Sequence, residues 1–140
     1  MLSSTHLLFS LLFGSFLFDY IHPNSLTGKI IFAALLLAGT FIPDLDSKIS
    51  FFKHRGILHT IWPVILILII SFFLQKLQFL LLPFAVGYGS HLLADMITAS
   101  GVSPLFPIIK RKIKGPVKTG SFLELIIASI ILAVLFIKGI

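Results

Sequence analysis

The sequence predicts an all-α, polytopic membrane bundle of about five transmembrane or membrane-embedded helices. Three observations carry that prediction. Hydrophobic residues make up 57% of the chain and charged residues 11%, whereas soluble domains carry roughly 25% charged residues. Mean hydropathy is +1.09. The apolar residues also gather in helix-length runs separated by short polar stretches. An ordinary soluble globule and a disordered chain are both excluded. The chain has no cysteine, which removes a disulfide scaffold, a Cys-based zinc site and a thiol nucleophile. Its 140 residues suit one membrane-embedded domain, 1–140.

The first run, His6 to Tyr20, lacks a basic leader and is bracketed by His6 and Asp19, so it reads as a retained helix rather than a signal peptide. The second, Gly28 to Ile42, ends at Pro43, because proline cannot continue a helix. The third, Ile61 to Leu74, and the fourth, Phe79 to Thr98, are separated only by Gln75, Lys76, Leu77 and Gln78, which suits a tight helical hairpin. The fifth runs from Phe122 to Ile137. A full crossing takes about 20 residues. Several of these runs are shorter, so extension into the flanks or a thinned bilayer is expected.

Charge gives the orientation. With five crossings, the N-terminus, the 43–60 loop and the 99–121 loop share one side. Most of the cations lie in those two loops, against Lys29, Lys76 and Lys138 on the other side. An excess of Lys and Arg marks the cytoplasmic side. The net charge of +6 is thus explained by topology and by contact with anionic headgroups, and no nucleic acid is expected. The expected location is a multi-pass inner-membrane protein with its N-terminus inside.

On this map His6, Asp44, Asp46, His54, His59, His91, Asp95 and Glu124 all fall at the cytoplasmic end, although they come from five places in the chain. His91 and Asp95 are four apart, one above the other on a helix face. They can bind one ion or bridge two, or simply hydrogen-bond to each other. Gly87 and Gly89 beside them leave room for a neighbouring helix. Asp44 and Asp46 alternate along an extended turn, where two acids need a compensating cation. A divalent ion would serve, as would Lys48, Lys53 and Arg55. In His54-Arg55-Gly56-Ile57-Leu58-His59, one histidine reads as a ligand and the other as a ligand, proton carrier or substrate contact. Arg55 offers a planar fork suited to phosphate. Ser121-Phe122-Leu123-Glu124 matches a capping box, so Glu124 is either a cap or a participant in the cluster. His6 alone would pass for an interfacial histidine. His22 reads as interfacial, and Asp19 has no evident partner in sequence.

Neutral imidazoles mixed with carboxylates are what zinc and related metals use. No P-loop, nucleophile elbow or dinucleotide fingerprint is present, so metal-assisted hydrolysis outranks covalent catalysis. A transporter would want polar groups at mid-membrane or on both sides. A non-catalytic lipid-binding scaffold would use the same residues as caps and ion pairs.

The ordered set His6-Leu7-Leu8-Phe9, Pro43-Asp44-Leu45-Asp46, His54-Arg55-Gly56 with His59, Gly87-Tyr88-Gly89-Ser90-His91-Leu92-Leu93-Ala94-Asp95, Thr98, Gly101 and Glu124 resembles the YdjM-type family of LexA-regulated, membrane-bound metal-dependent hydrolases. That family is in turn distantly similar to zinc-dependent phospholipase C and the P1-type nucleases. The resemblance implies that His91 and Asp95 are metal ligands, with Asp44, His59, Glu124 and His6 as further ligands. It also implies a divalent metal, zinc above all. Ser47 stands where family members often carry a histidine, and Gly120 where the phospholipase group has one, so one or two ions are expected rather than three. The expected reaction is hydrolysis of a phosphoester on a phospholipid or lipid-linked phosphate. Asp44 or Asp46 would act as base, Arg55 and Lys118 would hold phosphate, and His54 would assist.

Overall fold

A computed structural model of the chain describes residues 1–45 and 57–139. Among them are five α-helices: α1 (Ser3–Ile21), α2 (Leu26–Phe41), α3 (Trp62–Phe73), α4 (Gln78–Ile97) and α5 (Phe122–Ile137). These match the five apolar runs within a few residues at each end. No strand is present among the described residues; two isolated β-bridges occur in the segment after α4.

Local chemistry sets the boundaries. At the end of α1, His22 adopts a left-handed conformation (φ 48°) and its N–H returns to the carbonyl of Phe18. Ser25 caps α2 by accepting from the amide of Gly28 at 3.0 Å. Pro43 converts the end of α2 into a single 3₁₀ turn, Ile42–Asp44, so Asp44 lies on a tight turn and not on the extended one expected. A second 3₁₀ turn, Gln75–Leu77, joins α3 to α4 and makes the hairpin anticipated there.

By length and composition three segments can cross a membrane: Ser3–Ile21, Leu26–Asp44 and Gln75–Ile97. The apolar helices α3 and α5 are shorter, at 12 and 16 residues. At a rise of 1.5 Å per residue α3 reaches only about 18 Å, well short of a hydrocarbon core about 30 Å thick.

The fourth helix is central and packs against α1, α2 and α3, while α5 packs against α1. Contact between α2 and α4 is backbone to backbone. A Cβ added at Gly39 would lie 2.1 Å from the carbonyl oxygen of Phe84, and one at Gly87 2.1 Å from that of Leu36. Gly89, by contrast, has open space beside it; only Gly87 serves the close approach expected of both. Where α1 meets α2, the hydroxyls of Ser10 and Thr40 lie 2.6 Å apart, both fully buried. Phe9 of α1, Ala94 of α4 and Ile131 and Leu135 of α5 form the apolar core between those helices.

At one end of the bundle the start of α1 meets the end of α4. At the other, Lys138 after α5 donates to Asp19 Oδ2 at 2.7 Å and to Ser15 Oγ at 3.2 Å, with its ammonium 4.1 Å from the centre of the Phe16 ring. Asp19, unexplained in the sequence, is therefore half of an ion pair that fastens α1 to α5.

Candidate metal centre

Each side chain of the cluster is delivered by a different local device. His6 stands in the first turn of α1 and is 4% exposed. Asp44 sits on the Pro43 turn. His59 closes the 3₁₀ turn Ile57–His59 that precedes α3. Its position is fixed from α4, where the Tyr88 hydroxyl donates to the carbonyl of Leu58. His91 and Asp95 lie on one face of the last turns of α4, both buried. The Thr98 hydroxyl donates to the Asp95 carbonyl at 2.7 Å and closes that helix end.

These five side chains meet. Asp95 Oδ1 lies 3.4 Å from His6 Nε2, and Asp95 Oδ2 lies 3.8 Å from both His59 Nε2 and His91 Nε2. Asp44 Oδ1 is 3.6 Å from His91 Nε2 and 3.7 Å from His59 Nε2. The His6 and His91 rings stack, with centres 4.1 Å apart and planes 13° off parallel, and His59 meets His91 edge-on at 5.6 Å. Near neighbours include the Met1 amino group, 3.4 Å from Asp95 Oδ1. Two donor groups result, His6–His91–Asp95 and Asp44–His59–His91, which share His91.

The distances bear on what the arrangement could hold. Separations of 3.6 to 3.8 Å are too long for hydrogen bonds. A four-coordinate ion with bonds of about 2.0–2.2 Å holds its donors about 3.3–3.6 Å apart, close to what is seen here. Both ring nitrogens of His91 and Nδ1 of His6 are buried with no hydrogen-bond partner among the described residues. Leaving a buried polar atom unpaired costs about 1–3 kcal/mol. Of these, His91 Nε2 faces both Asp44 and Asp95, which fits a site that could hold a cation, and a nitrogen-and-oxygen donor set suits zinc and its first-row neighbours.

The two groups differ in exposure. The His6, His91 and Asp95 side chains are at most 5% exposed, whereas that of Asp44 is 43% exposed. Solvent therefore reaches the cluster on the Asp44 side.

Of the other expected site residues, Asp46, His54 and Arg55 lie outside the described residues. Glu124 is described, and it stands apart from both donor groups. Its Oε1 accepts from the amide of Leu2 at 2.8 Å and its Oε2 from the amide of Gly120 at 2.6 Å, while Ser121 caps the amide of Glu124 in turn. With both oxygens on backbone donors, Glu124 fastens the start of α1 to the start of α5. The capping-box pattern correctly located this helix start, with Gly120 in place of the usual partner amide. Tyr88 is the residue that sequence reasoning passed over; its one signal is a phenol inside an apolar helix, where a buried hydroxyl needs an acceptor.

No curated protein and no solved structure matches the chain. The profile of a family described as YdjM inner membrane protein matches residues 1–139.

Proposed function

Since the chain belongs to the YdjM inner membrane protein family, we propose that it is a membrane-bound, metal-dependent hydrolase. Its proposed substrate is a phosphoester of a phospholipid or lipid-linked phosphate, met at the cytoplasmic face. The observation that carries this reading is the ligand-like spacing of three buried imidazoles and two carboxylates, with His91 Nε2 left without a hydrogen bond.

His6, His91 and Asp95 would hold one ion, and Asp44 and His59, with His91 or the second oxygen of Asp95, another. A divalent ion so held supplies Lewis acidity to a phosphoryl oxygen and an acidified water. The chain's own residues do the rest. Asp44, on the open side, is placed to take a proton from a water that enters there. Asp46 is the alternative base. Arg55 clamps phosphate through its planar fork, and His54 relays or donates a proton. The cluster lies at one end of the bundle, beside helices apolar enough to cross a membrane, so a lipid phosphate would meet it without leaving the headgroup layer. The cation-rich segment 99–121, which leaves α4 at the same end, supports a cytoplasmic orientation.

Purified protein in mild detergent, assayed for bound metal by mass spectrometry and for headgroup or phosphate release from phospholipid micelles, tests the reading. The expectation is close to stoichiometric zinc or a related ion, with turnover that Asp95→Asn abolishes. Protein that binds no divalent ion rejects the metal centre. Loaded protein inert towards a broad panel of phosphoesters rejects the hydrolase.

A further inference from the structure

The segment joining α4 to α5 has an exposed tip whose composition is unlike the rest of the molecule. It leaves α4 at Ile97, two residues after Asp95, and is pinned down at several points. Val102 and Ile113 exchange backbone hydrogen bonds at 3.1 and 2.8 Å, and the amide of Ala99 donates to the carbonyl of Val117 at 2.8 Å. From the start of α3, the Ile61 amide donates to the Pro104 carbonyl at 2.9 Å and the Trp62 indole to the Phe106 carbonyl at 2.8 Å. Val102 and Val117 are 1% exposed. The base of this strap is thus part of the fold and sits at the metal-centre end.

Past Phe106, residues 107–114 are all exposed, Ile113 by its side chain while its backbone pairs with Val102. They carry Lys110, Arg111, Lys112 and Lys114 beside Ile108, Ile109 and Ile113, which are 73%, 47% and 46% exposed. No acidic residue lies between Asp95 and Glu124. Water alone gives no reason to display three isoleucines. A purely polar partner would answer the cations and leave the isoleucines unused. A layer of anionic headgroups over acyl chains answers both, because cationic heads reach phosphates while apolar groups beside them sink toward the glycerol level.

We propose that the 107–114 tip is a contact site for anionic phospholipid, seated in the leaflet on which the metal centre opens. It gathers negatively charged lipid beside that centre. The site rests on the embedded bundle and not on hydrolysis, so it stands or falls independently of the activity.

The full chain has no cysteine, so Ile109→Cys can be labelled singly with an environment-sensitive fluorophore. The labelled protein is placed in nanodiscs of phosphatidylcholine alone, or of phosphatidylcholine with a third phosphatidylglycerol. Quenching by acrylamide, a neutral probe, is then measured. Quenching is expected to be about threefold weaker in the anionic discs and to return toward the neutral-disc value at high salt, since screening shortens the reach of surface charge. Adding Lys110→Gln, Arg111→Gln, Lys112→Gln and Lys114→Gln together should abolish the difference while bound metal stays at the parent level. The salt titration reads the same effect with the tip intact, so the test does not depend on how that variant folds. Equal quenching in the two kinds of disc overturns the proposal. So does shielding that appears only when RNA is added to neutral discs, which would assign the tip to a polyanion in solution.

Discussion

Asp95 carries two oxygens that face different histidines, Oδ1 toward His6 and Oδ2 toward His59 and His91. It faces all three histidines of the cluster, so a small change there should have a large effect. Asp95→Asn keeps the side chain's size and removes its charge. Bound metal is expected to fall by more than about tenfold, because the ligands must supply anionic oxygen and neutral nitrogen; elemental analysis of purified protein reads this. Glu124 predicts the opposite pattern. Glu124→Ala strips the partners from two backbone amides, a loss of about 1–3 kcal/mol for each one left buried and unpaired. Its thermal unfolding should shift downward while metal content is retained. The sequence made the first of these residues legible and the second only partly. The four-residue spacing of His91 and Asp95 is read directly from helix geometry. The Leu2 partner of Glu124 is 122 positions away, and no local rule reaches that far. The same holds for Lys138 and Asp19, 119 positions apart.

Among elements, the α2–α4 crossing sets how accurately the centre is assembled, since Asp44 follows one helix and His91 and Asp95 ride the other. Gly87→Ala would drive a methyl group to 2.1 Å from the Leu36 carbonyl oxygen. The helices must separate, at a cost of about 1–3 kcal/mol, and metal affinity should weaken with them. Gly89→Ala is the internal control. Nothing lies within 4 Å of the added carbon, so the substitution should be neutral or stabilise by up to about 1 kcal/mol through helix propensity. Thermal unfolding and metal titration of the two variants side by side check both expectations. Here too legibility has a physical limit. Apolar runs and Pro43 mark where helices begin and end because those signals are local. Which glycine faces a neighbour depends on the direction of a helix's contact face, and two glycines two residues apart point about 200° apart around the axis.

Over the whole molecule, the five donors come from α1, α4 and the two short turns that flank the segment 46–56. An ion held by all of them ties together parts of the chain that only tertiary packing otherwise joins. Whatever binds the folded state alone stabilises it. Treatment with a strong chelator is therefore expected to lower the unfolding midpoint by more than about 5 °C, with zinc restoring it and magnesium failing to do so. An unchanged midpoint, measured on protein known to carry metal beforehand, would contradict this linkage. The class of the fold was readable from composition because a bilayer demands apolar length. The gathering of donors at one end was legible from the alternating direction of successive apolar runs. Which carboxylate oxygen faces which ring did not follow, because that depends on how far each helix is rotated about its own axis.

His6 is made early in synthesis, and His91 and Asp95 come well after it. A nascent chain emerging from the ribosome therefore exposes an incomplete set of donors until α4 has been translated and inserted. On the proposed reading, capture of an ion would wait until both ends of that donor set had been made. Glu124 arrives later still and ties the start of α1 to α5, so the fifth helix is the one that secures the first.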